Sequence, residues 1–484
     1  MSNYSHFVTM NLRQRVEQLR NLQPVQRSKM HPAATSVPRV PGLPLIGNFL
    51  DFRRDRLGLH EHAAEVGPIA RFALGPMNLH VITDGELAHQ VLTTEADAFI
   101  KSRGISEFLQ PLLGEGLLSA EGQLHKRHRK LLAPAFAPKR MASYAEVMVA
   151  ETRTTTEAWR PGQRVDLAEE MMAMTLAIAG KTMFGQDLRS DAEKIGHALT
   201  EAMESMVTNM TSAVRLPYDW PAPRHRGMRR AVATLNEIVF NVIAQRRSES
   251  PTQLAERRDV LSMLLLARDE DGDGDGTGFS DKQIRDEVMT LLLAGHETTA
   301  NALTWTLYEL GRHPAIANEL IAQIDAALGQ RDATPADCEK IPLALAVVEE
   351  SMRLHPPAYV VSREATREVT VGGHVMPKGA TILINVRGIH RNPAYWENPL
   401  QFSPDRMAPE AKKARSRHVY LPFGGGPRVC IGSHFALLEA QLCLVTLLQR
   451  GAIQTLAKHR ESEALVTLRP KGGLPAIVSP RIAH

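Results

Sequence analysis

One cysteine of the chain stands in a setting that suits a metal ligand. Cys430 lies in the stretch Phe423-Gly-Gly-Gly-Pro-Arg-Val-Cys-Ile-Gly432, ahead of a helical pattern that ends at Gly451. Glycines allow a tight loop that approaches a flat ligand closely and turns backbone N–H groups inward. Such N–H groups, the positive charge of Arg428 and the start of a helix all stabilise a thiolate. The alternative interpretation is a buried free cysteine in a glycine turn.

A second stretch places an acid beside an alcohol within a helical pattern. Glu297 directly precedes Thr298, and the residues before them, Ala294 and Gly295, have almost no side chain. A bulky ligand or a dioxygen molecule could lie against the backbone there. The acid and the alcohol could pass protons from water to a bound oxygen species. Taken alone, the stretch is equally a polar notch in a buried helix.

The element that must position this pair is a long helix. The stretch 280–283, Ser-Asp-Lys-Gln, has the residues of a capping box, and the helical pattern continues to Leu310. Gly311 and Pro314 are stop signals. About thirty residues give a helix of about 45 Å, so we predict that it crosses a whole domain.

These motifs resemble those of the cytochrome P-450 family, soluble bacterial type. The pattern Phe-x-x-Gly-x-Arg-x-Cys-x-Gly is complete, and Ala-Gly-x-Glu-Thr and Glu350-x-x-Arg353 precede it in the family's order. The resemblance extends over residues 38–480. It implies a fold that is mainly α with a smaller β-rich part, in which the long helix crosses a heme.

The resemblance also implies the cofactor and the residues beside it. The cofactor is heme b, iron protoporphyrin IX, held non-covalently with Cys430 as the protein ligand to iron. Phe423 and Gly432 flank the ligand in the loop motif, and Ala294 and Gly295 face the same site from the long helix.

Charged residues elsewhere take family roles in the same way. Glu350, Arg353 and Arg406 would form a buried triad that fixes the cysteine loop, with a structural function. The two heme propionates need cations, and the residues implied for this are His125, Arg129, Arg363 and Arg428. The spacing of four puts His125 and Arg129 on one helix face. A solvated basic helix is the alternative for residues 122–130.

Composition excludes several other classes. The 484 residues carry a formal net charge of +4, which gives nucleic-acid binding no support. Only Cys338, Cys430 and Cys443 occur, without a CxxC pair, so we expect neither disulfides nor zinc and favour a reducing cytoplasm. No run of eighteen apolar residues is present, so we expect no transmembrane anchor.

The chain divides into a leader and one domain. We interpret residues 1–37 as a basic leader and proline-rich linker. The proline-rich stretch itself runs from residue 23 to residue 48, where it leads into the folded body. Residues 10–22 are compatible with a basic amphipathic helix on a membrane surface, although a solvated leader is the simpler interpretation. Residues 38–484 are predicted to form a single cytochrome P-450 domain.

The function implied is that of a heme-thiolate monooxygenase, which inserts one oxygen atom from O2 into a hydrophobic substrate by hydroxylation or epoxidation. Electrons would come from a separate ferredoxin and its reductase, and the protein would be a monomer. A peroxide-using peroxygenase is the first alternative, and Glu297 with Thr298 argues against it. A non-enzymatic heme-binding sensor is the second alternative, without any signalling segment to support it.

The substrate itself cannot be derived from the sequence. The segments implied as pocket walls are apolar and rich in methionine, which suits a fatty acid, terpenoid, steroid or polyketide. These segments are residues 108–113, 203–210, 289–293 and 358–361. Core filling is the alternative role of each methionine.

Overall fold

The computed structural model describes residues 36–210, 212, 218, 220, 222–268 and 278–481. The α-helices in chain order are α1 Phe49–Arg54, α2 Arg56–Val66, α3 Gly85–His89, α4 Arg103–Leu113, α5 Gly122–Leu132, α6 Pro138–Glu157, α7 Leu167–Phe184, α8 Ala192–Met210, α9 Arg226–Arg247, α10 Pro251–Glu256, α11 Val260–Leu266, α12 Asp281–Arg312, α13 Pro314–Leu328, α14 Pro342–Leu354, α15 Val386–His390, α16 Pro409–Ala414 and α17 Ser433–Arg450. The strands are β1 Ile69–Leu74, β2 Met77–Ile82, β3 Phe99–Ile100, β4 Gln163–Asp166, β5 Val361–Ala365, β6 Val369–Val371, β7 His374–Met376, β8 Thr381–Ile384, β9 Gly451–Thr455, β10 Ser462–Ala464, β11 Leu468–Pro470 and β12 Pro475–Pro480. The expected mainly helical fold with a smaller β part is confirmed.

The long helix α12 forms the spine of the helical part. Its capping box is present, since the Ser280 hydroxyl accepts from the Gln283 N–H at 3.2 Å and Gln283 Oε1 accepts from the Ser280 N–H at 2.9 Å. Nearly every residue from Ile284 to Leu310 is buried, and the helix packs most extensively against α7. A helix that is apolar on all sides is typical of a core element.

The predicted end of this helix was two residues short. The helix continues through Gly311 to Arg312, and Pro314 begins α13 instead of closing α12. A Cβ atom on Gly311 would lie 2.0 Å from the Thr455 hydroxyl, so this glycine allows β9 to pack close to the helix. Proline at the first position of a helix is favourable because its missing N–H would be unpaired there anyway.

The β-rich part is built mainly from a five-stranded mixed sheet of order β1-β2-β8-β5-β3. β1 and β2 form an antiparallel hairpin that pairs Ile69 with Ile82, and β2 runs parallel to β8 with Leu79 opposite Thr381. A second sheet, of order β4-β12-β9, joins the C-terminal end to the helical part. β10 and β11 form a separate antiparallel hairpin that contacts α12.

The predictions for the N-terminal linker and leader have different outcomes. The extended linker was predicted to reach residue 48, but the Val40 N–H already donates to the Arg71 carbonyl at 2.8 Å, so the chain joins the sheet edge near residue 39. Residues 10–22, interpreted as a solvated leader with an amphipathic helix as the alternative, lie outside the described residues, as does the acidic stretch 269–276. No described helix is long and apolar enough to cross a membrane.

The triad expected around Arg353 is present, with Glu350 and Arg353 buried and Arg406 half-buried. Arg353 makes a two-pronged ion pair with Glu350, with both nitrogen–oxygen distances at 2.8 Å and neither side chain exposed. Arg406 Nε lies 3.5 Å from Glu350 Oε1. The guanidinium of Arg353 also donates to three backbone carbonyls, at His390, Pro399 and Gln401.

His390 extends this network to the cysteine loop, and the sequence did not reveal it. Its Nε2 accepts from the Leu421 N–H at 2.7 Å, two residues before Phe423. Burial and the charge of Arg353 lower the pKa of His390 to about 3, which keeps the imidazole neutral and Nε2 able to accept. The network therefore ties α14 to the start of the loop.

Replacing Arg353 by alanine should prevent formation of stable, heme-loaded protein. The change leaves Glu350 charged and buried without its partner, which costs roughly 3–5 kcal/mol. Arg230→Ala is the control, because Arg230 is mostly exposed and its ion pair with Glu201 lies at the surface. Thermal unfolding and the heme absorbance per protein measure both variants. A stable, fully loaded Arg353→Ala protein would contradict the structural role of the triad.

Candidate functional site

The cysteine loop is tightly closed, and glycine is required within it. Gly424 and Gly426 have φ angles of 71° and 66°, in the left-handed region that favours glycine. A Cβ atom on Gly426 would lie 1.7 Å from the Leu92 carbonyl oxygen. The Cys430 N–H donates to the Phe423 carbonyl at 3.0 Å and closes the loop just before α17. The predicted position of Cys430 ahead of a helix is confirmed.

The thiol of Cys430 is surrounded by protein but retains accessible surface. Burial raises its pKa, whereas the backbone N–H of Gly432 and the charge of Arg129 lower it. The other two thiols differ. Burial raises the pKa of Cys338 to about 11, and Cys443 is fully buried in the core, where its sulfur accepts from the Thr152 hydroxyl. A cation and an inward N–H stabilise the thiolate at Cys430.

The long helix opens at the predicted stretch. Ala294 is exposed and Gly295 and Thr298 are half-buried, although the residues before and after them on α12 are buried. The Thr298 hydroxyl donates to the Ala294 carbonyl at 2.8 Å, as expected for a threonine in a helix. The next residue, Thr299, is buried and lies next to Glu439 of α17, the helix that follows Cys430. We call Ala294, Gly295 and Thr298 the open strip.

Glu297 is adjacent in sequence but directed elsewhere. Its carboxylate Oε1 accepts from the Thr467 hydroxyl at 2.6 Å, and the side chain is buried. Burial raises the pKa of Glu297, while the bond from Thr467 and the charge of Arg469 lower it. The sequence placed the acid next to the alcohol, and the structure shows that the acid contacts the β10–β11 hairpin.

The four residues predicted to contact the propionates, three of which are arginines, gather near the cysteine loop. Arg129 donates to the Val429 carbonyl at 2.8 Å, and Arg428 donates to the Ala120 carbonyl and pairs with Glu121. Burial and the charges of Arg428 and Arg129 together lower the pKa of His125 to about 4. Burial and the charge of Arg428 lower the pKa of Arg363 to about 10.

Lys101 is a fifth member of this cluster, and the sequence did not indicate it. Its ammonium donates to the Leu117 carbonyl at 3.0 Å, and its backbone N–H donates to Glu121 at 2.9 Å. Burial and the charges of Arg428 and Arg363 lower its pKa to about 7. A lysine after a two-residue strand carries no motif, so only the three-dimensional arrangement reveals it.

The arrangement fits a heme. Positive groups that depress one another's pKa values favour an anion between them, as carboxylates of a cofactor would provide. A thiol with accessible surface and an open strip on an otherwise buried helix fit a flat, apolar body. The loop glycines leave space for close approach, because a Cβ atom on Gly425 would meet only Leu92 at 3.5 Å.

Comparison with known proteins agrees with this assembly of loop, strip and cations. The family described as Cytochrome P450 matches residues 38–473, and the chain belongs to that family. It is an oxidoreductase of the P450 monooxygenase type. Membership implies a heme-thiolate cofactor, a hydrophobic substrate and a redox partner.

Individual relatives share the full architecture. Cyclooctatin synthase of Streptomyces melanosporofaciens is 35% identical over 431 residues, covering 88% of this chain and 91% of the relative. Cyclooctat-9-en-7-ol 5-monooxygenase of the same organism is 30% identical over 94% of this chain and 100% of its own length. The crystal structure of the cytochrome P450DA heme domain superposes with a TM-score of 0.83 at 27% identity, covering 93% of this chain and 99% of that one.

We predict that Cys430→Ser abolishes the strongly red-shifted Soret band that reduced, thiolate-ligated heme gives with carbon monoxide. A serine hydroxyl is a far weaker acid than a thiol, so it cannot replace the thiolate that the Gly432 N–H and Arg129 stabilise. Cys338→Ser, a half-buried cysteine away from the loop, should keep the band. Retention of the band in Cys430→Ser would show that another residue is the ligand.

Proposed function

We propose that the protein inserts one oxygen atom from O2 into an apolar terpenoid, by hydroxylation or epoxidation. The observation that carries this proposal is the open strip. It interrupts a buried helix, it includes the hydroxyl of Thr298, and the carboxyl of Glu297 is next to it in sequence. The names of two relatives support the proposed substrate class. They are cyclooctatin synthase and the pentalenene oxygenase of Streptomyces avermitilis, which is 29% identical over 85% of this chain and 90% of its own length.

The cofactor we propose is heme b, and Cys430 would be the residue that binds its iron. When bound, such a heme activates dioxygen, and thiolate ligation favours cleavage of the O–O bond. The Gly432 N–H and Arg129 would stabilise the anionic sulfur, in opposition to the burial that raises the pKa of the thiol. His125, Arg129, Arg363 and Arg428 would receive the propionates, and Lys101 joins them because its pKa of about 7 would rise beside a carboxylate.

Thr298 is suited to accept a hydrogen bond on the open strip. Its hydroxyl hydrogen is directed to the Ala294 carbonyl, so its oxygen lone pairs are available to a donor on that side. Glu297 can supply a proton when it turns from Thr467 towards the strip. Because burial raises its pKa, the carboxyl holds a proton at higher pH than an exposed glutamate.

The proposed substrate pocket follows from the walls next to the strip. Residues 289–293 form the buried, apolar part of α12 immediately before Ala294. Phe108, Leu109 and Leu112 of α4 and Met203 of α8 belong to the same hydrophobic core. Such a lining excludes water and contributes contacts without hydrogen-bond demands, which suits a hydrocarbon skeleton.

We further propose a separate ferredoxin as electron donor and a cytoplasmic, monomeric protein. Lys126 and Lys130 are exposed on α5, and Arg129 of the same helix donates to the carbonyl before Cys430. A positive face this close to the ligand suits an acidic electron-transfer partner. Arg127, on the same helix, is less available to a partner, because its guanidinium donates to the Gly278 carbonyl and lies over the Phe279 ring.

Binding can be tested with a panel of apolar compounds and the heme spectrum. We expect cyclic diterpene and sesquiterpene hydrocarbons to shift the Soret band by displacing water near the heme, whereas polar compounds of equal size should not. A shift confined to fatty acids or to polar compounds would contradict the proposed substrate class.

Thr298→Ala should bind heme and substrate, accept electrons and lose coupling. Reducing equivalents would then form hydrogen peroxide instead of product, and positioned proton transfer is typically worth about 10²–10⁴-fold. The measurement is product formed per NAD(P)H consumed, with a surrogate ferredoxin system. Added peroxide should partly restore turnover in the variant.

The matched control for this experiment is Thr306→Ala. Thr306 is on the same helix and donates to the carbonyl four residues earlier at 2.7 Å, but it is buried away from the open strip. It should keep wild-type coupling. Equal coupling in Thr298→Ala and the wild type would remove the proton-handling role, and wild-type turnover with peroxide alone would favour a peroxygenase.

A further inference from the structure

The hydroxyl of Thr467 has a fixed direction. Asn301 Nδ2 donates to the Thr467 oxygen at 3.1 Å, and the Thr467 hydroxyl donates to Glu297 Oε1 at 2.6 Å. An amide nitrogen can only donate, so the hydroxyl hydrogen is left for the carboxylate. All three side chains are buried, with relative exposures of 3%, 6% and 1% for Asn301, Thr467 and Glu297.

The segment that carries Thr467 is itself held against the core. The Trp305 indole donates to the Leu468 carbonyl at 3.2 Å, and the Leu468 N–H donates to the Pro357 carbonyl at 3.0 Å. On the other side, the Tyr359 hydroxyl donates to the Leu465 carbonyl at 3.0 Å. The connection between β10 and β11 therefore presents the hydroxyl at a defined place beside α12.

We propose that Thr467, oriented by Asn301, is a positioning residue that holds the Glu297 carboxylate on the hairpin side of α12, away from Thr298. The inference rests on the proton-handling role proposed for Glu297. Thr467 does not conduct protons itself, because its second partner is an amide that keeps its hydrogens. Glu297 must therefore leave this hydrogen bond before it can serve the open strip.

The charged groups around Glu297 define its resting state. Arg469 of β11 faces it and is itself paired with Glu463 of β10 at 2.7 Å. On the α17 side, Glu439 is buried against Thr299, and burial raises its pKa to about 8, which leaves it neutral at pH 7. His296 is buried with a lowered pKa and is also neutral. Thr467 and Arg469 thus favour the carboxylate form of Glu297, against the effect of burial.

The first test is the protonation of Glu297 in the ferric holoenzyme, followed by infrared spectroscopy. Thr467→Val keeps the shape of the side chain and removes the donor, so the carboxylate loses stabilisation and the pKa of Glu297 rises. The C=O band of the protonated carboxyl, assigned by its loss in Glu297→Gln, should persist to a pH about one unit higher or more. Thr467→Ser should restore the wild-type titration.

A matched control removes a hydroxyl from the same helix. Thr306→Val should leave the band unchanged, because Thr306 bonds only within α12. A band that titrates identically in the wild type and Thr467→Val would overturn the proposal. A shift of equal size in Thr467→Ser and Thr467→Val would trace the effect to packing and not to the hydroxyl, and it would also overturn the proposal.

The second test uses turnover. If Glu297 serves the strip in its protonated form, the alkaline fall in product per NAD(P)H should move to higher pH in Thr467→Val, with the spectral dissociation constant for substrate unchanged. An alkaline fall at the wild-type pH, despite a shifted infrared band, would support the positioning role and refute the proton-handling role of Glu297. The two proposals can therefore fail separately.

Discussion

The buried charge of Arg353 is the constraint on which the site depends. A guanidinium without solvent must have its charge and its N–H groups satisfied, and here Glu350 and three backbone carbonyls do so. Those carbonyls lie within the stretch 390–401, well separated in sequence from α14, so Arg353 fixes this stretch against that helix. Through His390 the same constraint reaches the Leu421 N–H and the loop that presents Cys430.

The second requirement of the site is an anion for its cations. Arg428 lies close enough to lower the pKa values of Lys101 and Arg363, and Glu121 is the carboxylate in contact with Arg428. Such a cluster is costly in isolation and becomes favourable when an anionic group binds between its members. Folding of the loop and binding of a heme are therefore expected to stabilise each other.

Local patterns could be predicted from the sequence wherever local physics decides. The capping box of α12, the helix start after Cys430 and the Glu350–Arg353 pair each depend on residues within a few positions of one another. Gly311 shows where local patterns fail. As a local signal it predicts the end of a helix, but its role depends on the close approach of Thr455, which is distant in sequence. Lys101, His390 and Thr467 escaped notice for the same reason, since their partners are distant in sequence.

The structure also separates the acid and the alcohol that are adjacent in the sequence. Thr298 lies on the open strip, whereas the neighbouring Glu297 is held by a hairpin from the C-terminal part of the chain. Adjacent residues on a helix are about 100° apart, so an acid and an alcohol in sequence need not contact each other. The proton-handling function proposed here thus depends on a movement of Glu297 and not on a preformed pair.

The most direct test of the account is the origin of the oxygen atom in the product. Purified protein would be supplied with a cyclic terpene hydrocarbon that shifts its Soret band, a ferredoxin, a ferredoxin reductase and NADPH, under ¹⁸O2 in ordinary water. The account predicts one ¹⁸O atom in each product molecule and none when ¹⁶O2 is used with labelled water. Oxygen derived from water, or product formed equally well without O2, would contradict the monooxygenase mechanism.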